Sequence, residues 1–305
     1  MNKKGLLLYN QVDYDKNKWF AGELISKAKA LGIELTLVLR ENLVLTIEEG
    51  CFKAFSYNAS NFSTNASKKA LYYEYLSPLL VDFVINRTRD PLVGTHFEKM
   101  GCKVFNSAEV TELCNHKGKT HQLINAAGIP SVKTLLGNIH YFKPSMLPFP
   151  YPVVLKAVSG HGGDEVYKLH NEEELSASLK NLRTEDFVLQ ELCGMPGIDV
   201  RVFIIGGQIL ASVKRVSTNS FKSNYSLGGS ATAYTLKSEE EAMVNRILSL
   251  TNFDFVGIDF ILDGEGQFLF NEIEDVVGTR TLYLNYDIDV VARFLEHIVS
   301  ALNDQ

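Results

Sequence analysis

Apolar and polar positions along this chain switch repeatedly between a period of two and a period near 3.6, the spacings of strands and helices. Over the first hundred residues, "GLLLYN" (5–10) predicts a strand, "KWFAGELISKAKALG" (18–32) a helix that stops on Gly32, and "IELTLVL" (33–39) a second strand. "VDFVINR" (81–87) and "KVFN" (103–106) continue as strands, with a helix in "VGTHFEKMG" (93–101) between them. Strands alternating with helices predict a parallel sheet covered by helices. The polar stretch 58–68, "NASNFSTNASK", reads as a loop.

From 107 the pattern is helical, interrupted near Gly118, and then extended through "IPSVKTL" after Gly128. "FKPSMLPFPYP" holds four of the eight prolines and reads as a connector between units. A strand (152–158), a glycine-rich turn "SGHGGDE" (159–165), a helix (171–182) and a strand (186–192) follow. Gly206-Gly207 between two apolar runs predicts a hairpin, and "FVGIDFILDGEGQFLFNEIE" predicts another turning at "DGEG". Helices at 238–250 and 287–303 complete the pattern. The fold class is therefore α/β followed by α+β, in three parts: 1–108, 109–190 and 191–305.

At 305 residues and 46% hydrophobic content, the chain can bury a substantial core. Its net charge is −6 and its 30 Lys and Arg are scattered, which disfavours nucleic acid as a partner. No apolar run reaches the ~18 residues that span a bilayer, and the basic start lacks a signal peptide's apolar region. Cys51, Cys102, Cys114 and Cys193 lie far apart without metal-ligand spacing. They read as reduced thiols in a cytoplasmic protein.

The densest chemistry is "FLFNEIED" (268–275), where Glu272, Glu274 and Asp275 follow an apolar run. With 263–266 as the hairpin turn, Leu262 faces Gln267 and Asp259 faces Phe270. Gly257, Asp259, Ile261, Phe268, Phe270, Glu272 and Glu274 then share one face, with Asp259 and Glu272 diagonal neighbours ~7–8 Å apart. Carboxylates that close either retain a proton or gather a cation. Oxygen-only donors select a hard ion such as Mg2+, with phosphate and water completing its shell. A solvated strand end is the alternative. Upstream, Lys156 ends a strand and is followed by Ser159, Gly160, Gly162 and Gly163, a loop whose N–H groups can approach phosphate.

Taken in order, "HKGKTHQLINAAGIPSVKT", "VVLKAVSGHGG", "VLQELCGMPGIDVRVFIIGGQILASVKRVS", "SNYSLGGSA" and "GIDFI" with "FNEIED" resemble the motif series of the ATP-grasp superfamily. Its RimK-type, glutathione-synthetase-like branch is the nearest in pattern. The resemblance covers about 105–285 and implies an ATP-grasp fold behind an N-terminal parallel-sheet (pre-ATP-grasp) domain. It also implies ATP and Mg2+ as cofactors, two ions in number, with Mn2+ as a substitute.

By that resemblance Lys117 and Lys156 contact the α- and β-phosphates, Glu191 and Leu192 form the adenine hinge, and Asp199 lies near the ribose. Arg201 and Arg215 stabilise the transferred phosphoryl group, with Asn224 beside them. Asp259, Glu272 and Glu274 hold metal; Glu274 stands where the branch usually has Asn. Outside the resemblance, Arg87 and Arg89 follow a strand of the N-terminal sheet, either to hold a substrate carboxylate or as a salt-bridged loop. Arg280 either offsets the added charge or binds an acidic substrate.

The implied activity is ADP-forming ligation of a carboxylate to an amine through an acyl phosphate. The substrates are small molecules or a peptide, and the subunits are free to assemble as a homo-oligomer. A nucleotide-binding regulatory or peptide-modifying protein is the other reading.

Overall fold

The computed structural model describes residues 3–57, 76–217, 220–222 and 229–303. The chain divides into two compact units, residues 1–112 with 289–305, and residues 113–288.

The first unit is built on a parallel sheet of order β2-β1-β6-β7: β1 (Lys3–Tyr9), β2 (Ile33–Leu39), β6 (Phe83–Asn86) and β7 (Lys103–Phe105). Helix α1 (Gln11–Ala30) starts earlier than its apolar spacing indicates, because the Asn10 side chain caps it by accepting from Asp13 N–H at 2.8 Å. Asp90 caps α2 (Pro91–Lys99) in the same way, with Pro91 in the first turn. Leu6, Leu8, Val84, Val93, Phe97 and Val104 form the core.

A second sheet in this unit, β3 (Leu43–Glu48), β4 (Cys51–Tyr57) and β5 (Leu76–Pro78), is antiparallel and was not expected from the pattern. Its first two strands join through Glu49 and Gly50, both at positive φ. The helix α3 (Ala108–Cys114) ends two residues before the next one begins, so the break falls at Asn115-His116 instead of Gly118.

Helix α8 (Val290–Asn303) packs on α1, tied by a 2.6 Å Lys27–Asp289 ion pair and a 2.9 Å bond from Lys103 Nζ to the Ala301 carbonyl. The expected third part, 191–305, therefore differs at its end, since residues 289–305 belong with the first unit. An apolar helix face is satisfied by whichever surface it reaches, and sequence adjacency does not decide that.

The second unit has two antiparallel sheets. The smaller has the order β10-β9-β11-β8: β8 (Thr134–Asn138), β9 (Val153–Ala157), β10 (Val166–Leu169) and β11 (Asp186–Glu191). Helix α4 (Lys117–Ala126) leads into it, and α5 (Glu172–Leu179) lies against its core of Val153, Leu155, Leu175, Phe187 and Leu189. The proline-rich stretch runs between β8 and β9 of this one sheet, so it is an internal loop and not a connector between units.

The larger sheet has the order β14-β13-β12-β15-β16: β12 (Ile198–Ile205), β13 (Gln208–Val216), β14 (Ser230–Ala233), β15 (Phe255–Leu262) and β16 (Phe268–Glu274). Gly206 and Gly207, at φ 57 and 68, make the turn between β12 and β13. Helices α6 (Ser238–Leu248) and α7 (Arg280–Asn285) complete the unit.

The register of β15 and β16 departs from expectation in a way that shapes the site. The turn takes five residues, 263–267, so Leu262 faces Phe268 and Phe260 faces Phe270. A β-bulge then adds a residue on β16, and Asp259 lies directly opposite Glu272, with Gly257 opposite Glu274. The bulge reverses the alternation. Phe268, Phe270 and Ile273 are buried with Phe260 and Ile258, while Asn271 and Glu272 both line a cleft together with Asp259. The phenylalanines and carboxylates assigned to one face are thus parted onto two.

Gly257, on the bulged pair, has room for no side chain: a Cβ there would lie 2.6 Å from Val277 Cγ2 and 3.4 Å from Arg201 Cδ. Gly257→Val is expected to cost about 1–3 kcal/mol by overpacking. Gly264→Ala, where nothing lies within 4 Å, is expected to stay within about 0.5 kcal/mol. Urea unfolding of the two variants beside the parent measures both.

Candidate functional site

Residues of both sheets of the second unit line a cleft with roughly 850 Å³ of empty space, open to solvent. One side is charged. Asp199 on β12 pairs in register with Arg215 on β13, Arg201 on β12 with Asp259 on β15, and Asp259 with Glu272 on β16.

These neighbours bond as their register allows. Arg201 grips Asp259 through Nε and Nη2, both at 2.7 Å, and its Nη1 reaches Glu274 at 2.9 Å. Arg215 grips Asp199 and also donates to Asp259 at 2.8 Å. Along the chain Arg215 has no acidic neighbour and Arg201 has only Asp199, but the sheet supplies partners for both across strands. Burying either alone would be costly. Arg215 Nη1 bonds none of the described residues, which leaves a guanidinium N–H pair for a ligand.

Two lysines complete the charge balance. Lys117, the first residue of α4, is nearly buried, with Nζ 3.3 Å from Glu272 Oε2 and bonded to the Gly160 carbonyl. Lys156 on β9 donates to Asn271 Oδ1 at 2.8 Å. Asp199, Asp259, Glu272 and Glu274 thus face Arg201, Arg215, Lys117 and Lys156, and the cluster is formally neutral.

Burial opposes charge on every member, and the partners decide the outcome. For Asp259 the two arginines overcome burial and hold the carboxyl down at about 2. Burial raises Glu272 too, but Lys117 leads the neighbours that bring it below its usual value. Glu274 stays raised by burial, with Asp259 and Glu272 repelling its charge against the pull of Arg201. Burial lowers Lys156 to about 8 despite Glu272 nearby.

The glycine loop between β9 and β10 forms another wall. Gly162 and Gly163 take positive φ of 63 and 84, and a Cβ at Gly160 would meet the Asp164 carbonyl at 2.8 Å. Lys222 Nζ donates to the Gly163 carbonyl at 2.8 Å. Arg183 ties down the far side of the loop through an ion pair with Asp164 and a 2.8 Å bond from its backbone N–H to the Glu165 carboxylate.

Of the residues expected from sequence, Lys117, Lys156, Gly160, Gly162, Gly163, Glu191, Leu192, Asp199, Asp259 and Glu272 line this one cleft. Arg201 and Arg215 adjoin it through Asp259, and Glu274 through Arg201. Ser159 is exposed and does not line it. Arg280 is likewise exposed at the start of α7, outside the lining. Asn224 lies outside the described residues.

Arg87 and Arg89 belong to the first unit. Arg87 is buried, its guanidinium 4.9 Å from the Phe20 ring centre, and Arg89 is ion-paired with Asp13. The salt-bridged-loop reading thus describes Arg89.

Four contributors escaped the sequence reading: Asn271, Gln190, His121 and Lys222. Asn271 adjoins the carboxylate motif and Gln190 precedes the hinge, so position alone could have flagged those two. His121 and Lys222 carry no local signal, because only folding brings them to Gln190 and to the glycine loop.

Comparison with known proteins gives the same outline. The sequence model of the RimK-like ATP-grasp domain matches residues 114–298. N-acetylaspartylglutamate synthase A of Homo sapiens is 29% identical over 220 residues, covering 70% of this chain and 56% of that protein. Beta-citrylglutamate synthase B of Homo sapiens is 26% identical over 285 residues, covering 90% of this chain and 72% of that protein. In three dimensions the chain resembles the VanG D-Ala:D-Ser ligase from Enterococcus faecalis with a TM-score of 0.72, at 15% identity over 99% of this chain and all of that one.

Asp259 is the group whose loss disturbs most, since it leaves two buried guanidinium groups short of an acceptor. Asp259→Asn is expected to destabilise the second unit by about 3–5 kcal/mol at neutral pH. Because the folded carboxyl is depressed from 3.8 to about 2, its contribution is complete above the ordinary value and fades as pH falls between the two. The gap between variant and parent in denaturant melts should therefore close over that acid range.

Proposed function

We propose that this chain, which belongs to the RimK-like ATP-grasp family, is an ADP-forming ligase that joins a carboxylate to an amine. The observation carrying this reading is the neutral cluster of four carboxylates and four cations, set beside a glycine loop in one solvent-open cleft. Such a cluster suits a polyanion, whose oxygens can take over cations already in place and spare their reorganisation during reaction.

In this reading the base enters beside the backbone of Glu191 and Leu192, with the ribose toward Asp199. Lys117 and Lys156 turn to the α- and β-phosphates, and the N–H groups of Gly160, Gly162 and Gly163 cover the triphosphate and exclude water. A substrate carboxylate oxygen attacks the γ-phosphorus as the bond to the β-phosphate oxygen breaks, which gives ADP and an acyl phosphate. The amine nitrogen then attacks the acyl carbon, phosphate leaves, and the amine proton passes to solvent. Arg215 offers its uncommitted N–H groups to the charge gathering on the transferred phosphoryl group, and Arg201 holds Asp259 and Glu274 in position.

The donor set fits a hard divalent cation. Oxygen ligand atoms of Asp259, Glu272 and Glu274 lie within 4.8 Å of one another. Asp259 accepts three N–H groups and retains a further lone pair. Glu272 and Glu274, with that lone pair, would hold Mg2+, or Mn2+ in its place, two ions in number. Bound there, the metal would neutralise phosphate charge.

The names of the two human relatives describe glutamate-containing products, so acidic amino acids and other dicarboxylates are the substrate class put forward. The amine is a small molecule or a peptide, and a cytoplasmic location and assembly as a homo-oligomer complete the reading. Among the described residues no helix is long and apolar enough to cross a membrane, and the four cysteines are free thiols.

ADP release, screened with amino acids and dicarboxylates singly and in pairs, should appear with an acid–amine pair and Mg2+. Glu272→Ala should abolish it with circular dichroism unchanged; retained turnover would sink the proposal. Lys156 loses its charge above about 8, so KM for ATP should climb as pH rises through that value, and Lys156→Arg should flatten the climb. Glu274→Asn should keep turnover while raising the Mg2+ concentration required, which a metal titration at saturating ATP reads directly.

A further inference from the structure

The glycine loop is restrained from outside the cleft as well as from within it. Its stem is the first rung of the ladder between β9 and β10, where Lys156 faces Val166 and the Ala157 N–H donates to the Glu165 carbonyl at 3.2 Å. Glu165 takes φ 49 there, the left-handed region that a residue with a side chain holds only when its surroundings impose it. Arg183 supplies that constraint.

Arg183 stands in the turn between α5 and β11, just after Leu182, which packs on the core of the smaller sheet. Its backbone N–H donates to one oxygen of the Glu165 carboxylate at 2.8 Å, and its Nε lies 3.4 Å from the other. Its Nη2 forms an ion pair with Asp164, and that bond leads the causes holding the Asp164 carboxyl below its usual value. One residue thus grips both of the consecutive acids that close the loop. The Asp164 pair is solvated, and such pairs contribute little. The Glu165 side chain is only 9% exposed, so its bonds are less screened by water and salt. A Cβ at Gly160 would meet the Asp164 carbonyl at 2.8 Å. The two limbs of the loop therefore touch, and fixing Asp164 fixes the approach of Gly160.

Three cations hold the loop: Lys117 at the Gly160 carbonyl, Lys222 at the Gly163 carbonyl, and Arg183 at Asp164 and Glu165. They are not equivalent. Lys117 and Lys222 line the cleft, where a phosphate, as a charged acceptor, competes with a neutral carbonyl for each of them. Arg183 lies outside that lining, so its hold persists when the cleft fills.

We propose that Arg183 is a positioning residue for the loop that covers the nucleotide: it pins the outgoing limb at Asp164 and Glu165, confines opening to residues 160–163, and so sets how fast a nucleotide leaves. With that limb pinned, opening is a local rotation at glycines, and their N–H groups return to the same place at each closure. Without it the loop opens from the ladder outward, and the barrier to release falls. The inference rests on the nucleotide reading above and deepens it, because it concerns what keeps the loop closed.

Stopped-flow release of a fluorescent ADP, chased by ADP in Mg2+, tests it without turnover. Arg183→Met should release the nucleotide about fivefold faster, the worth of an ion pair at the upper end for partly exposed groups, with association changed by less than about twofold. Hydrogen exchange at the amides of 162–165 should quicken while β9 and β11 exchange as in the parent. Glu165→Gln should speed release in the same direction, and adding Arg183→Met to it should fall short of the product of the two single effects, because they share one contact. Arg183→Lys, which keeps the charge, should recover part of the parent's rate.

Release at the parent's rate from both Arg183→Met and Glu165→Gln overturns the proposal and leaves nucleotide binding standing. So does full additivity of the two substitutions, or equally faster exchange in β9 and β11, which would make Arg183 a general prop of the sheet. A parent that binds no ADP overturns the ligase reading as well. Arg183→Met and Glu165→Gln probe one contact from its two ends, so if one of them fails to fold, the release rate of the other decides.

Discussion

Everything in the cleft depends on the bidentate grip of Arg201 on Asp259. A buried carboxylate and a buried guanidinium are each costly alone, and together they are tolerable only when their remaining bonding capacity is met. Here Arg215 meets it from one side and Glu274 from the other. The pair therefore fixes β12, β13, β15 and β16 in one register, since a slip of a single residue would send every charged side chain to the opposite face.

That constraint explains why the second sheet matters. The cross-strand network alone holds more negative than positive charge, with Asp199, Asp259, Glu272 and Glu274 against two arginines. The smaller sheet and its leading helix bring Lys156 and Lys117, which restore neutrality from across the cleft. The electrostatic balance thus spans two sheets, and the space between them is where a polyanion can exchange places with carboxylates. The same lysines also bond the Gly160 carbonyl of the glycine loop and Asn271 of the bulge, so the charge balance and the loop position are physically coupled. Beside the lysines, neutral groups take over: Gln190, His121 and Thr134 are held by directional bonds.

Much of this was legible along the chain. The alternation of periods located β1, β2, β9, β11 and the two hairpins within a few residues, and the end of α1, because burial of one face imposes its period on the sequence directly. Lys156 with its glycines, and Asp259 with Glu272, could be picked out because phosphate and metal chemistry demand those residue types close together. The three-stranded sheet at 43–57 and 76–78 was missed, its strands being short and only weakly alternating. The proline-rich stretch misled for a different reason: proline marks an irregular backbone, and it does so equally within a sheet and between units.

What the sequence determined by itself is the set of local preferences: which segments are strands and helices, where turns fall, and which side chains carry chemistry. Tertiary structure alone decided partnership. The bulge that parts Phe270 from Glu272, the acids that satisfy Arg201 and Arg215, the docking of α8 on α1, and the meeting of His121 with Gln190 all join residues far apart in the chain. Register and pairing are set by the free energy of burying whole faces and cancelling charge across strands, and that quantity belongs to the assembled sheets rather than to any stretch of sequence.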